Sequence, residues 1–285
     1  RGLENLYVEW VQFDEPFLVM DLDEESKQAY HYVYSAIRKE FPTIKIILAT
    51  YFEGLNDNTD LSLSLPVHTL HVDLVRCPQQ LDEILDKLPQ KLSLSLGVVD
   101  GRNIWKNNYE KTLKLIEKVV DKIGEERILI APSCSLLHSP YDLDLETNEV
   151  NLPSEVKQWM AFAKQKIYEV IILKQLAINT NNPELISQLN ENKTAIYNRS
   201  TSSLIHHPEV KTAVNAINEE DTNRLSRFEI RKQKQQKTLK LPLFPTTTIG
   251  SFPQTAEVRS WRAKYKKEEI TKAQYEALLQ EETEK

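Results

Sequence analysis

The sequence predicts an α/β fold built on a parallel sheet, and three observations carry that prediction. From residue 1 to about 176, short β-branched or continuously apolar runs alternate with longer segments whose apolar residues recur at helical spacing. Such alternation implies parallel strands joined by right-handed crossovers. Polar residues gather just after the strand-like runs (Asp14, Glu15, Glu53, Asp73, Arg102, Asn103, Ser133, Ser135), where a barrel presents its site. No G-x-G-x-x-G follows any of these strands, which weakens a dinucleotide-binding fold. Five βα units suit either an open doubly wound sheet or most of a (βα)8 barrel.

Taken in order, Tyr7 to Phe13 is the first predicted strand, ending on Asp14-Glu15-Pro16, and a helix follows over Glu24 to Glu40. Ile44 to Tyr51 is almost continuously apolar and suits a strand covered on both faces. Leu70 to Val75 is the third strand. A short helix follows Pro78, with Leu81, Ile84, Leu85 and Leu88 on one face. Leu92 to Val99 is the fourth strand. The helix Tyr109 to Ile123 is expected to bury Leu113, Ile116, Val120 and Ile123, with Gly124 as its C-cap. Ile128 to Pro132 is the fifth strand. One long helix is expected from Pro153 to about Leu176, with Val156, Trp159, Met160, Ala163, Ile167, Val170 and Ile171 at core spacing. Composition then turns polar, and Glu219 to Lys237 reads as an exposed, solvated basic helix. Residues 177–243 are read as a helical connector, and the Lys- and Glu-rich stretch after Thr255 as a helix-forming start of a second domain, too short to fold alone.

With 285 residues, 40% hydrophobic and 27% charged, and a net charge of −6, there is enough apolar content for a core. There is no overall basic excess to call for nucleic acid, and no apolar run approaches the ~18 residues a membrane span needs. Cys77 and Cys134 are the two cysteines, too few for a disulfide framework, and point to a reducing, cytoplasmic setting. The chain starts on Arg1 and stops at Glu284-Lys285 within a helical pattern, so it reads as an internal piece of a longer protein.

Near the end stands Phe244-Pro245-Thr246-Thr247-Thr248-Ile249-Gly250-Ser251-Phe252-Pro253-Gln254-Thr255. Thr246 to Ile249 suit a strand. Gly250 lets backbone approach a ligand, and the free N–H groups of a turn at Ser251 suit a carboxylate. The pattern fits either a small-anion pocket at a strand end or an ordinary strand-turn. This stretch closely resembles the segment that opens the C-terminal domain of the cobalamin-independent methionine synthase family (5-methyltetrahydropteroyltriglutamate–homocysteine methyltransferases). Trp10 to Pro16, Thr50 to Gly54, Leu70 to Leu74, Asp100 to Trp105 and Ser133 to Pro140 are similar to that family in the same order.

The resemblance implies the later strands of an N-terminal (βα)8 barrel over 1–176, the connector over 177–243, and the start of the catalytic barrel over 244–285. It implies that Ile249, Gly250 and Ser251 bind the amino-acid part of homocysteine, that the methyl donor is 5-methyltetrahydropteroyltri-L-glutamate, and that the parent enzyme uses zinc. Zinc would deprotonate and hold the homocysteine thiol, with three Cys, His or Glu ligands beside the substrate sulfur. Where the catalytic barrel carries a His-x-Cys pair, this chain has Thr50-Tyr51-Phe52-Glu53, and only Cys134 resembles a surviving ligand. The expectation is therefore no metal ligands and no catalytic residues within this chain, a silent duplicate whose partner is the catalytic barrel of the same protein. No methyl transfer and no tight zinc are expected of the segment alone. A non-catalytic scaffold that helps hold the folate tail is the alternative, and a relative acting on another thiol acceptor is a weaker third.

Other candidates are read structurally first. Asp14 and Glu15 are expected to accept loop N–H groups rather than act as an acid/base pair. Cys134 and His138 are a buried thiol and a loop histidine rather than half a metal site. His68 and His71 are satisfied rim or core histidines, and His206-His207 lie at the surface. Arg102 is expected to pair with the acidic strand ends rather than hold a phosphate or carboxylate.

Overall fold

The computed structural model describes residues 2–179, 181–247, 250 and 254–284, without the side chain of Glu4. Five strands form one parallel sheet in sequential order: β1 (Trp10–Asp14), β2 (Lys45–Ala49), β3 (Thr69–Asp73), β4 (Ser93–Val99) and β5 (Ile128–Pro132). The crossovers are α1 (Glu24–Glu40), α2 (Thr59–Ser64), α3 (Gln80–Lys87) and α4 (Tyr109–Ile123). After β5 come α5 (Ser154–Lys157), α6 (Ala163–Ile178), α7 (Pro183–Thr201), α8 (Pro208–Ala216), α9 (Phe228–Leu239), α10 (Ala256–Lys266) and α11 (Lys272–Glu284).

Local signals fix the helix ends. Asp23 caps α1 by accepting the Ser26 N–H, and Asn108 caps α4 by accepting the Lys111 N–H. Gly124 closes α4 at φ +82°, a conformation open to glycine. The side chains of one sheet face (among them Ile46, Leu48, Leu70, Val72, Leu94 and Leu96) share a single apolar core with Tyr34 of α1, Ile84 of α3, Ile116 of α4, Leu173 of α6 and Leu185 of α7. The helices therefore cover one face only. Sequential strand order with helices on a single face is the arrangement of a (βα)8 wall, whereas a doubly wound sheet has helices on both faces.

The opposite face is polar. The register aligns Asp14, Ala49, His71, Ser95 and Leu129 in one row across all five strands. The β2 run is apolar on both sides, yet Ile47, on this face, is only half-buried.

Three sequence expectations need correction. The helix expected over 153–176 is two helices, α5 and α6. Trp159 closes the turn after α5, its N–H donating to the Val156 carbonyl, and Met160 to Phe162 run on to α6 as buried chain, with Met160 bridging antiparallel to Trp105. The Ala161 N–H donates to the Ile104 carbonyl and the Lys106 N–H to that of Trp159, so backbone bonding to a distant loop replaces the helical bonds. In α6 the core face holds Lys166, Glu169, Leu173 and Leu176, while Ile167 and Ile171 are 53% and 45% exposed. The basic helix expected from Glu219 starts only at Phe228. A capping box of Asn218 and Asp221 closes a separate short turn, and Arg224 and Arg227 precede the helix. Finally, of the strand expected over Thr246 to Ile249, Thr246 and Thr247 belong to no strand, and Thr248 and Ile249 lie outside the described residues.

Contacts group the chain into two units, Arg1–Lys211 and Thr212–Lys285. In the first, α7 packs on α4 and α6 and buries Leu185, Asn192 and Ala195. Asn192 accepts the Tyr109 N–H at 3.1 Å and donates to the Asn107 carbonyl at 2.8 Å. In the second, α10 and α11 form a pair with the Tyr265 and Tyr275 rings stacked 4.9 Å apart.

Candidate functional site

The C-terminal ends of the strands bring together the polar residues that the sequence places there. Each is held by its own set of partners.

At the end of β1, Asp14 and Glu15 have separate roles. The Glu15 carboxylate accepts the Tyr30 hydroxyl at 3.0 Å and the Tyr34 hydroxyl at 2.8 Å, so it ties β1 to α1. Its partners are phenols of α1, not the loop N–H groups expected. Asp14 accepts from the Gln12 side-chain amide at 2.7 Å and stays exposed. Burial, followed by the Asp14 carboxylate, pushes the Tyr51 phenol far above its ordinary range. Tyr51 stays a neutral phenol.

His68, just before β3, and His71 within it both have hydrogen-bond partners. His68 Nδ1 accepts the Ile46 N–H at 2.9 Å. His71, 6% exposed, sets Nε2 3.3 Å from the Ser133 carbonyl and Nδ1 2.9 Å from Ser95 Oγ. A carbonyl only accepts, so Nε2 carries the proton and Nδ1 accepts from Ser95. Burial lowers the pKa of both rings, which keeps His71 neutral and occupied at both nitrogens.

At the end of β3, Asp73 is fully buried and accepts the Val75 and Arg76 N–H groups at 3.0 and 2.9 Å. Burial raises its pKa, and those two bonds oppose the rise. Arg76 pairs with Glu53 at 3.4 Å on the surface.

The loop after β4 is built from inside. Asp100 accepts the Arg102 N–H at 2.8 Å and the Asn103 amide at 2.6 Å, using both its oxygens. Asn103 Oδ1 accepts the Trp105 N–H and the ammonium of Lys166, at 3.0 and 3.3 Å, and the Trp105 carbonyl accepts Lys166 at 3.0 Å. Lys166 is fully buried. One turn on, Glu169 accepts the Asn107 N–H at 2.9 Å, while its other oxygen is buried with no hydrogen-bond partner. Burial lowers the Lys166 pKa and raises that of Glu169 to about 7. Periodicity missed these two residues because it assigns charged residues to the solvent face.

Arg102 makes no ion pair with the strand-end carboxylates among the described residues, contrary to expectation. Asp100 is already engaged, and the guanidinium lies over the Phe52 ring, 4.5 Å from its centroid. His138 meets the same ring edge-on at 5.6 Å. Cys134 is buried beside Gly101, and burial raises its thiol pKa. A cavity of about 330 Å³ opens next to this corner, lined by Asp14, Tyr51, His71, Cys134 and Ser135 among others.

A zinc site needs three converging Cys, His or carboxylate ligands. Among the described residues no group of three His, Cys, Asp or Glu side chains is placed to hold a metal, and His71 has both ring nitrogens committed. The described residues do not fit zinc. Of the expected homocysteine triplet, Ile249 and Ser251 lie outside the described residues. Gly250 has φ +80°, and a Cβ there would meet nothing within 4 Å. What calls for glycine at that position is backbone conformation rather than space.

Residues 1–124 match the family model described as "Cobalamin-independent synthase, N-terminal domain", and residues 244–285 match "Cobalamin-independent synthase, Catalytic domain". Over 99% of its length the chain is 54% identical to a 5-methyltetrahydropteroyltriglutamate–homocysteine methyltransferase of Flavobacterium johnsoniae. The chain belongs to the cobalamin-independent methionine synthase family. Methyltransferases with the same description from Cytophaga hutchinsonii and Xylella fastidiosa are 52% and 44% identical over 96% and 100% of this chain. The chain spans 37%, 36% and 37% of these three relatives' lengths. The two family matches sit at its two ends, one in each contact unit.

Proposed function

We propose that the chain is part of a zinc-dependent methyltransferase that moves the methyl group of 5-methyltetrahydropteroyltri-L-glutamate to L-homocysteine, giving methionine. The observation that carries this reading is the 54% identity, over 99% of the chain, to a relative described by that donor and acceptor. In this reading 1–176 is the later part of the N-terminal barrel, 177–243 the connector and 244–285 the opening of the catalytic barrel. Ile249, Gly250 and Ser251 hold the amino-acid end of homocysteine, and the φ of +80° at Gly250 supports a turn there that presents backbone N–H groups. The metal ligands come from the rest of the longer protein, because the donors described here do not converge. The setting is cytoplasmic, which both cysteines being free supports. No helix among the described residues is long and apolar enough to cross a membrane.

A second reading is favoured by the same lack of converging donors: on its own, the segment is a non-catalytic scaffold that also helps hold the folate tail. Titration calorimetry of L-homocysteine, with zinc present, into the chain alone and into its mixture with the remaining catalytic barrel separates the two. Binding only in the mixture, lost on Gly250→Val, is the expected result. No binding in either, with both partners folded, removes the substrate role of Ile249–Ser251 and leaves the scaffold.

A further inference from the structure

The geometry points to Arg102 as a receptor for a ligand carboxylate at the rim of the sheet. The loop that carries it is locked from below: Asp100 spends both oxygens on the loop's own N–H groups, and the fully buried Lys166 holds Asn103 and the Trp105 carbonyl. The side chain is held as well, since its guanidinium stacks on Phe52, a ring that His138 supports edge-on. An arginine on a surface ordinarily keeps its rotamer freedom unless a partner repays the ordering. Here the ordering is in place with no carboxylate engaged among the described residues. Stacking covers one face of the guanidinium and leaves its N–H edge for two parallel bonds to one carboxylate. The neighbouring cavity, with Tyr51, Cys134 and Ser135 in its wall, has room for the chain that bears the carboxylate.

Binding in this geometry is favoured by preorganisation, because loop and side chain are ordered before the ligand arrives. Two sources supply the same chemistry: the γ-linked glutamyl tail of the proposed methyl donor, or a free small dicarboxylate. The first source rests on the proposed function, and the second does not.

Titration calorimetry with tri-γ-L-glutamate and with glutarate, alongside amide chemical-shift mapping of the whole chain, tests the site. The expected result is binding that shifts residues 52, 102 and 138 and weakens about tenfold or more in Arg102→Met, the loss of one charge-assisted pair. Arg102→Lys weakens it similarly, since an ammonium keeps the charge but neither stacks nor forks, and Phe52→Leu weakens it severalfold. Arg231→Met in the basic helix α9 leaves it unchanged. Tighter binding of triglutamate identifies the glutamyl tail, and equal binding identifies a free carboxylate. Arg102→Met within twofold of wild type, or no binding of either probe to the folded chain, overturns the site. Neither failure touches the homocysteine titration.

Discussion

Replacing Lys166 by methionine tests whether the buried cation holds the β4–α4 loop. The substitution keeps length and apolar volume and removes the ammonium, so packing changes little. Three losses follow. The Trp105 carbonyl loses its Lys166 donor, which for a buried acceptor left bare costs about 1–3 kcal/mol. Asn103 Oδ1 keeps the Trp105 N–H and loses less. Glu169, 3% exposed and with an oxygen already lacking a partner, loses the nearby charge that favours its ionised form. Breaking a buried charge pair typically costs about 3–5 kcal/mol. Lys166 and Glu169 form no direct ion pair among the described residues, however, and Glu169 can take up a proton near neutrality. The expected loss is therefore about 3 kcal/mol at pH 8 and about 1–2 kcal/mol at pH 6, where Glu169 is mostly neutral. Urea unfolding followed by the fluorescence of Trp105 and Trp159 measures it, with the slope checked for constancy. In a Glu169→Gln background the pH dependence of the loss should vanish. A loss below about 1 kcal/mol at both pH values refutes the clamp, and the same loss at pH 8 in both backgrounds refutes its coupling to Glu169.

Three further outcomes follow. The Glu169 pKa is raised in the folded state to about 7 from 4.5, so the stability its neutral form contributes is complete below pH 4.5 and disappears as pH rises through 7. Wild type should lose about 3 kcal/mol over that window that Glu169→Gln retains, read from urea midpoints at successive pH values. A Cβ at Gly54 would lie 2.4 Å from Cys77 Sγ, so Gly54→Ala should cost about 1–3 kcal/mol and Cys77→Ala should restore part of it, both read as shifts in melting temperature. Asn192→Ala strips the Tyr109 N–H and the Asn107 carbonyl of partners and should cost about 2 kcal/mol, with faster amide exchange at the start of α4 as the local readout.

What could be read from sequence is what short-range chemistry decides. The ends of α1 and α4 are legible because Asp23, Asn108 and Gly124 act within four residues of the groups they satisfy. The five strands are legible because each apolar run is short and bounded, although β1 begins at Trp10 rather than Tyr7. In α6 the run Val170-Ile171-Ile172-Leu173 is apolar all round, so spacing alone could not choose its face. The choice was made by the loop polar groups that Lys166 and Glu169 satisfy, from more than sixty positions away in sequence. The break at Trp159–Phe162 has the same origin, a strand-like bridge to Trp105 that no window contains. The candidate rim was half legible: Arg102 stood out as an anion-binding residue type, but its seat on Phe52 exists only because the loops after β2 and β4 meet.

The sheet has two borders, and they are complementary. Along β1 and β5 one side of the backbone has no strand neighbour among the described residues, and all five strands point the same way. The outer edge of β5 in one copy can therefore accept the outer edge of β1 in the next as a sixth parallel strand. That contact is head-to-tail, so each addition regenerates both borders, and the assembly closes as a ring or grows as a filament according to the rotation per step. Prepared by itself, the chain should sediment with a concentration-dependent mass, and a lysine placed at Val11 or Leu129 should reduce it.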